Sequence, residues 1–172
     1  VLIQKELSVD ILLNKNKKKY DKTRTLGISK SNIDYFNKKI TNLEKISWAI
    51  KNIKIYTEKS PNQEVLKFNN NNKQIFSIIK SYELYKILFD KLKKSKFIKF
   101  KDNTNNKSID KEKYKLIINC DPQNHITKKF FFNKIEKNYN SYAYTTTINH
   151  KNVFENNIAY QNFTNKGPIA FL

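Results

Sequence analysis

Residues 159–172 read AYQNFTNKGPIAFL and predict two short strands joined by a turn. Gly167 and Pro168 lie at the turn, and the whole chain holds only two glycines and three prolines. Glycine accepts left-handed backbone angles and proline fixes φ, so both residues favour a turn at this place. Such a turn occurs in any antiparallel sheet, so the segment predicts β-structure here without identifying a family.

Further from this segment, two apolar runs predict buried parallel strands, because strands covered on both faces lack polar alternation. The runs are Val9–Leu13 (VDILL) and Tyr114–Cys120 (YKLIINC). Two helices are also predicted. One begins near Ser31, with Asp34 three residues on and an apolar stripe of Ile33, Phe36 and Ile40, and the other spans Ser81–Leu92.

Other segments have the alternation of half-buried antiparallel strands. They are residues 53–55, 65–68 after a turn at 60–63, 141–150, 158–163 and 169–172, while residues 97–100 are predicted only as a further short strand. Residues 1–48 and 80–129 therefore have α/β character, and residues 49–79 and 130–172 have antiparallel character. We expect a mixed α/β fold in which two units alternate along the chain.

The charge of the chain is strongly positive, with a formal net charge of +19. Such an excess is typical of proteins that bind nucleic acid or an anionic membrane surface. The lysines are scattered among asparagines and isoleucines, however, and lack the aromatic interleaving of a nucleic-acid face. We therefore expect no specific nucleic-acid partner, and a small basic nucleic-acid-binding or ribosome-associated protein stays open as the alternative.

Few residues are suited to covalent or metal chemistry. The single cysteine cannot form an internal disulfide, and two distant histidines do not make a metal site. No catalytic dyad or triad is apparent, and no run of about 20 apolar residues predicts a membrane span. The chain contains no methionine and opens within an apolar pattern, so we expect it to be an internal piece of a longer protein.

Arg24 is the only arginine among 34 basic residues. Its guanidinium is a planar fork of donors that suits bidentate contacts, which lysine cannot copy. The alternative is a surface arginine that is present by chance. Residues 24–29 (RTLGIS) resemble the Arg-Thr-x-Ala-Leu-Ser motif of the flavin-dependent hydroxylases of ubiquinone biosynthesis. These are FAD-binding aromatic-ring monooxygenases, similar to p-hydroxybenzoate hydroxylase. The Gly167-Pro168 turn between two strands resembles a segment of the same family.

A weaker match lies at residues 119–122 (NCDP), which resemble the family's Gly-Ala-Asp-Gly turn with Asp121 retained. Lys128 stands where the family has arginine, and Asn14 stands where it has the acidic residue after the second strand. The resemblance implies that Arg24, Asp121, Asn14 and Lys128 contact the cofactor. An N-cap role is the competing interpretation for Asp121.

The resemblance implies a partial Rossmann-like FAD-binding domain at 1–48 and 80–129, interleaved with an antiparallel substrate domain at 49–79 and 130–172. The cofactor implied is FAD, with NAD(P)H or another electron donor as co-substrate. The substrate implied is a polyprenyl phenol, contacted by Tyr142, Tyr144, Gly167 and Pro168; in strands, such tyrosines are otherwise core residues.

The family acts in the cytoplasm, peripherally at the inner membrane, so contacts with the membrane and with other ubiquinone-biosynthesis proteins are implied as well. Its glycine-rich G-x-G-x-x-G element would precede Val1, because only two glycines stand in these 172 residues.

Overall fold

Strands dominate the described part of the chain. The computed structural model describes residues 5–13, 22–102, 112–121, 125–131, 133, 135–148, 151 and 157–172. Within these ranges, the strands are β1 (Val9–Leu13), β2 (Thr25–Ser29), β3 (Ser47–Ile50), β4 (Asn52–Thr57), β5 (Leu66–Asn69), β6 (Phe76–Lys80), β7 (Ile98–Asp102), β8 (Ile158–Thr164) and β9 (Gly167–Phe171). The α-helices are α1 (Lys30–Lys39), α2 (Ser81–Lys93) and α3 (His125–Phe130).

The described strands form three sheets, so the mixed α/β class is confirmed. β1 and β7 are a parallel pair, and β6 lies between β2 and β3 in an antiparallel sheet. The third sheet has the order β5-β4-β8-β9, in which β4 and β8 run parallel. Both parallel pairs join strands that are far apart in the chain.

β6 connects two apolar clusters because consecutive strand residues point to opposite faces. Ile79 packs with Ile33 and Leu43, and Leu84 of α2 lies against that cluster. Ile78, the preceding residue, packs on the other side with Ile50 and Ala159. β6 is thus covered on both faces, by the helices on one side and by the β4–β8 sheet on the other.

α2 also reaches the parallel pair. The ring of Phe89 lies 5.2 Å from that of Phe100 on β7, and Tyr85 stacks on Phe89 at 5.4 Å. The same helix therefore contacts the β6 core near its start and β7 further along.

Several predicted elements are confirmed. The run at 9–13 is β1, the helix at 81–92 is α2, and the segments at 53–55, 65–68, 97–100, 158–163 and 169–172 correspond to β4, β5, β7, β8 and β9. The wholly antiparallel character predicted for 49–79 and 130–172 is wrong, however, because β4 and β8 pair in parallel. The first helix begins earlier than predicted, because Ser29 is its N-cap. The Ser29 hydroxyl accepts a hydrogen bond from Asn32 N at 3.3 Å, while Asp34 pairs with Lys30.

Two predicted strands are wrong. Residues 114–120 form no strand, and Leu116 and Ile118 are 69% and 64% exposed. The described residues 141–148 of the second segment are also irregular, with Tyr142 and Tyr144 exposed. A strand requires a neighbour for its backbone N–H and C=O groups, and no described strand pairs with either segment.

The buried position of Ile79 makes a direct test of this core. We expect Ile79→Ala to lower the free energy of unfolding by about 2–5 kcal/mol, because it leaves a cavity beside Ile33 and Leu43. The matched control is Ile135→Ala, since Ile135 is fully exposed and its truncation changes stability by less than about 0.5 kcal/mol. Urea unfolding followed by the fluorescence of Trp48 and by circular dichroism measures both; equal effects would contradict the packing described.

Candidate cofactor site

Arg24 lies immediately before β2, and its backbone is tied to the start of α2. Ser81 N donates a hydrogen bond to Arg24 O at 2.9 Å, so the start of β2 and the first turn of α2 are held together. The Arg24 side chain is exposed, and its guanidinium forms no ion pair with any described residue. Among the described residues, the fork of donors therefore has no acidic partner.

The segment that carries the two predicted substrate tyrosines approaches Arg24 at one point. Thr147 Oγ1 donates a hydrogen bond to Thr23 O at 3.3 Å. Tyr142 and Tyr144, a few residues earlier, are 86% and 94% exposed and enclose no pocket among the described residues. Their role in substrate binding stays a prediction.

Asp121 lies in a small hydrogen-bonded turn against α3. Thr127 Oγ1 donates to Asp121 O at 2.8 Å, and Asn119 Nδ2 donates to Thr127 Oγ1 at 2.6 Å. Asp121 N in turn donates to Asn119 Oδ1 at 3.3 Å. Lys128 follows Thr127 and is exposed. Two predicted cofactor residues, Asp121 and Lys128, thus belong to one local unit, and the predicted contact at Asn14 lies outside the described residues.

Gly167 and Pro168 begin β9 at the turn of the β8–β9 hairpin. Gly167 has a φ of +123°, a value that side chains disfavour, and Thr164 Oγ1 donates to its carbonyl at 2.8 Å. Pro168 on β9 lies opposite Phe163 on β8. β9 is the outermost described strand of its sheet, where a missing backbone N–H is tolerated. The hairpin is also fixed to β4's end, because Asn165 N donates to Glu58 Oε2 at 2.7 Å.

The described site residues therefore occupy four places: the β2–α2 junction, the turn before α3 together with α3 itself, the irregular segment 141–148 and the β8–β9 hairpin. An open groove of about 460 Å³ lies elsewhere, between β5 and the start of α1, and no predicted site residue lines it. The described residues form no cluster of three or more His, Cys, Asp or Glu side chains placed for a metal ion. None of their helices is long and apolar enough to cross a bilayer.

Sequence reasoning missed one polar group, formed by Asp10 on β1, Lys101 on β7 and Tyr114. Asp10 Oδ2 accepts hydrogen bonds from Lys101 Nζ at 2.5 Å and from Tyr114 OH at 2.7 Å. Lys101 Nζ also donates to Tyr114 OH at 3.2 Å. We name these three side chains the Asp10 cluster. Its signal in the sequence is the carboxylate inside VDILL, since a charge in an apolar strand needs a partner.

The contacts of the Asp10 cluster shift two pKa values in opposite directions. The hydrogen bond from Lys101, and next the one from Tyr114, lower the pKa of Asp10 from its ordinary value. The hydrogen bond to Asp10 raises the pKa of Lys101. Both shifts favour the charged forms, so the cluster is a paired ion over the neutral pH range.

The comparisons with known proteins add no relative: no protein-family model matches the chain, and no curated protein is significantly similar to it.

We expect a glycine-to-alanine substitution to have opposite effects on the free energy of unfolding at the two glycine positions of the chain. A Cβ at Gly27 would meet only the Phe76 ring, at 3.6 Å, which is an ordinary contact. We expect Gly27→Ala to raise the free energy of unfolding by about 0.4–1 kcal/mol, because it restricts the unfolded chain. Gly167→Ala is expected to lower it by about 1–3 kcal/mol, because of the positive φ. Urea unfolding measures the pair, and a loss of stability at position 27 would contradict the first expectation.

The Asp10 cluster predicts how stability depends on pH. The pKa of Asp10 is lower in the folded state, so its contribution is present above about pH 4 and is lost as the pH falls further. The pKa of Lys101 is raised, so its contribution is present below about pH 10 and is lost above. Lys113 also favours the Asp10 carboxylate electrostatically.

We therefore expect the native protein to be more stable than Asp10→Asn at pH 7, and the difference to be smaller at about pH 3. Urea unfolding of both proteins at the two pH values measures this difference. A stability difference that persists unchanged at pH 3 would show that the charge of Asp10 is not involved.

Proposed function

We propose that this chain is part of an FAD-dependent monooxygenase that hydroxylates a polyprenylated phenol in ubiquinone biosynthesis. The observation that carries the proposal is the pairing of distant strands, β1 with β7 and β4 with β8, both in parallel. It supports an interleaved fold, because the first pair connects segments of α/β character and the second connects segments of antiparallel character.

The long connection between β1 and β7 adds support. Parallel neighbours need a crossover, and a single helix with its loops is sufficient for one. Between β1 and β7, this chain instead forms the sheet β2-β6-β3 and the hairpin of β4 and β5, and α2 then leads into β7. A second sheet inserted within a parallel one is what the resemblance to the flavin-dependent hydroxylases implies.

The residues fit part of an FAD site. Arg24 offers an exposed guanidinium, Asp121 lies at the turn before α3, and Lys128 lies within α3, next to the Thr127 that bonds to Asp121 O. The pyrophosphate cradle is not among these residues, because Gly27 lies within a strand and Gly167 lies in a hairpin. On this proposal the glycine-rich turn is supplied by sequence that precedes Val1, and these residues contact other parts of the cofactor.

When bound, reduced flavin supplies the activation of dioxygen and the transfer of one oxygen atom to an electron-rich ring, with NAD(P)H or another donor as the source of electrons. The side chains of this chain bind and orient. Arg24 would hold the cofactor through a bidentate pair of hydrogen bonds, and the Asp121 carboxylate would accept a hydrogen bond from it. No side-chain nucleophile takes part.

The substrate side of the proposal rests on the aromatic segment. Tyr142 and Tyr144 lie on the segment that reaches Thr23, next to Arg24, and would cover the phenol once it is bound. Gly167 and Pro168 would contact its tail. Peripheral contact with an anionic inner membrane, and with other proteins of the pathway, belongs to the same proposal, since the substrate is a lipid and the net charge is +19.

Flavin binding tests the proposal directly. The protein expressed from its complete coding sequence should bind FAD at one site, whereas the 172-residue chain alone should leave the fluorescence of added FAD unchanged. In the complete protein, Arg24→Ala should raise the Kd for FAD by about 10- to 100-fold, because a charge-assisted pair of hydrogen bonds is lost. The Kd of Arg24→Lys for FAD should lie between those of the wild-type protein and of Arg24→Ala, since lysine keeps the charge without the fork of donors.

Lys38→Ala is the matched control, because it removes one positive charge from an exposed position on α1 and should leave the Kd unchanged. A complete protein without a glycine-rich turn and without bound flavin would contradict the proposal. If that protein instead bound nucleic acid with an affinity falling linearly in log salt, the basic nucleic-acid-binding alternative would replace it.

A further inference from the structure

We propose that the lysines at the end of α2 form the surface through which this protein docks on an anionic membrane. We name Lys91, Lys93, Lys94 and Lys96 the α2 lysine patch. The choice of a membrane as the partner rests on the proposed function, whose substrate is a lipid. The patch itself does not depend on that function.

The tertiary structure concentrates positive charge at this place. The stretch 90–96 reads DKLKKSK, and Asp90 is the only acidic residue between 84 and 101. All four patch lysines are exposed, and Lys91 Nζ donates a hydrogen bond to Ile40 O at the C-cap of α1. The patch therefore lies against the end of α1, whose last turn is basic as well. Lysines from two distant segments thus meet at one place.

Two of the patch lysines are held over aromatic rings. Lys93 Nζ lies 4.6 Å from the centre of the Phe89 ring, and Lys96 Nζ lies 5.1 Å from that of Phe97. Phe89 is itself packed on Phe100 of β7. A cation over the face of a ring keeps its charge. Because these side chains are already ordered, less rotamer entropy is lost when they meet a lipid phosphate.

The turn that follows α2 fixes the rest of the patch. Ser95 N donates a hydrogen bond to Leu92 O at 3.0 Å, and Phe97 N donates to Ser95 Oγ at 3.3 Å. Lys94 and Lys96 therefore stand on a hydrogen-bonded turn. Within the described part of the chain, no carboxylate forms an ion pair with a patch lysine, so direct contacts do not neutralise these charges.

A lipid surface fits this patch better than a nucleic acid does. Proteins that bind single strands stack the bases on exposed aromatic rings. Phe89 and Phe97 are instead partly buried, with the lysine ammonium groups over them. Arg24, the only arginine of the chain and the residue suited to bidentate phosphate contacts, is not part of the patch. Clusters of about four to eight basic residues on a helix are typical of contacts with anionic headgroups.

Vesicle binding tests the docking surface. The protein expressed from its complete coding sequence should sediment with vesicles of equal parts phosphatidylcholine and phosphatidylglycerol, but not with pure phosphatidylcholine. Lys93→Gln combined with Lys94→Gln should weaken this binding about 10- to 30-fold, because each lysine near an anionic surface contributes about 5-fold. Lys91 is left unchanged because of its bond to Ile40 O. Lys93→Arg combined with Lys94→Arg keeps both charges and should bind as the wild-type protein does.

The matched control is Lys59→Gln combined with Lys67→Gln. These two lysines are exposed on the hairpin of β4 and β5, and the β4–β8 sheet lies across β6 from α2. The control removes the same charge as the patch variant. It should change vesicle binding by less than about 2-fold, because charges more than a Debye length from the lipid are screened.

Each outcome decides the inference. A wild-type protein that ignores the anionic vesicles, equal vesicle binding by the two glutamine variants, or lost binding in the arginine variant would overturn the docking surface. Binding of oligo(dT) that is lost in the patch variant, without binding to vesicles, would replace the membrane by a nucleic acid. If the complete protein binds no FAD, the proposed function fails, and the vesicle measurements still decide whether the patch docks on a membrane.

Discussion

The burial of β6 on both faces is the constraint on which most of the described structure depends. Ile78 and Ile79 are adjacent in sequence and less than 2% exposed, yet they belong to two different apolar clusters. One cluster holds the helices against the sheet β2-β6-β3, and the other holds the β4–β8 sheet on the opposite side. Because alternate side chains of a strand point in opposite directions, a single strand joins the two halves of the core.

The position of Arg24 follows from the same strand. β2 pairs with β6 along five residues, from Thr25 opposite Lys80 to Ser29 opposite Phe76. The residue after β6 is the first of α2, so the residue before β2 meets it, and Ser81 N bonds to Arg24 O. The only arginine therefore stands at a strand–helix junction whose backbone is fixed, while its side chain extends into solvent.

The region around the parallel pair combines the aromatic packing of α2 on β7 with a group of polar contacts that the β6 core lacks. β1 has a described neighbour on one side alone, and the segment 112–121 adds no ladder of backbone hydrogen bonds. Asp10, Lys101 and Tyr114 provide a directional contact in its place.

The local spacing of apolar residues was sufficient to predict the elements α1 and β1. The stripe of Ile33 and Phe36 predicted α1, and the apolar run VDILL predicted β1 as a parallel strand. Pattern failed for β6, because its run FSIIK is short and includes Ser77 and Lys80, and for residues 114–120, whose apolar run predicts burial but cannot supply a neighbouring strand.

The candidate site divides in the same way. The sequence alone determined that one arginine, one acidic turn and one Gly-Pro hairpin stand apart from the rest of the composition, because rarity of a residue type is visible without a fold. The tertiary structure alone decided which parts of the chain lie side by side. Asp10 meets a lysine 91 residues away and a tyrosine 104 residues away, and such contacts follow from the pairing of β1 with β7, which no local pattern encodes.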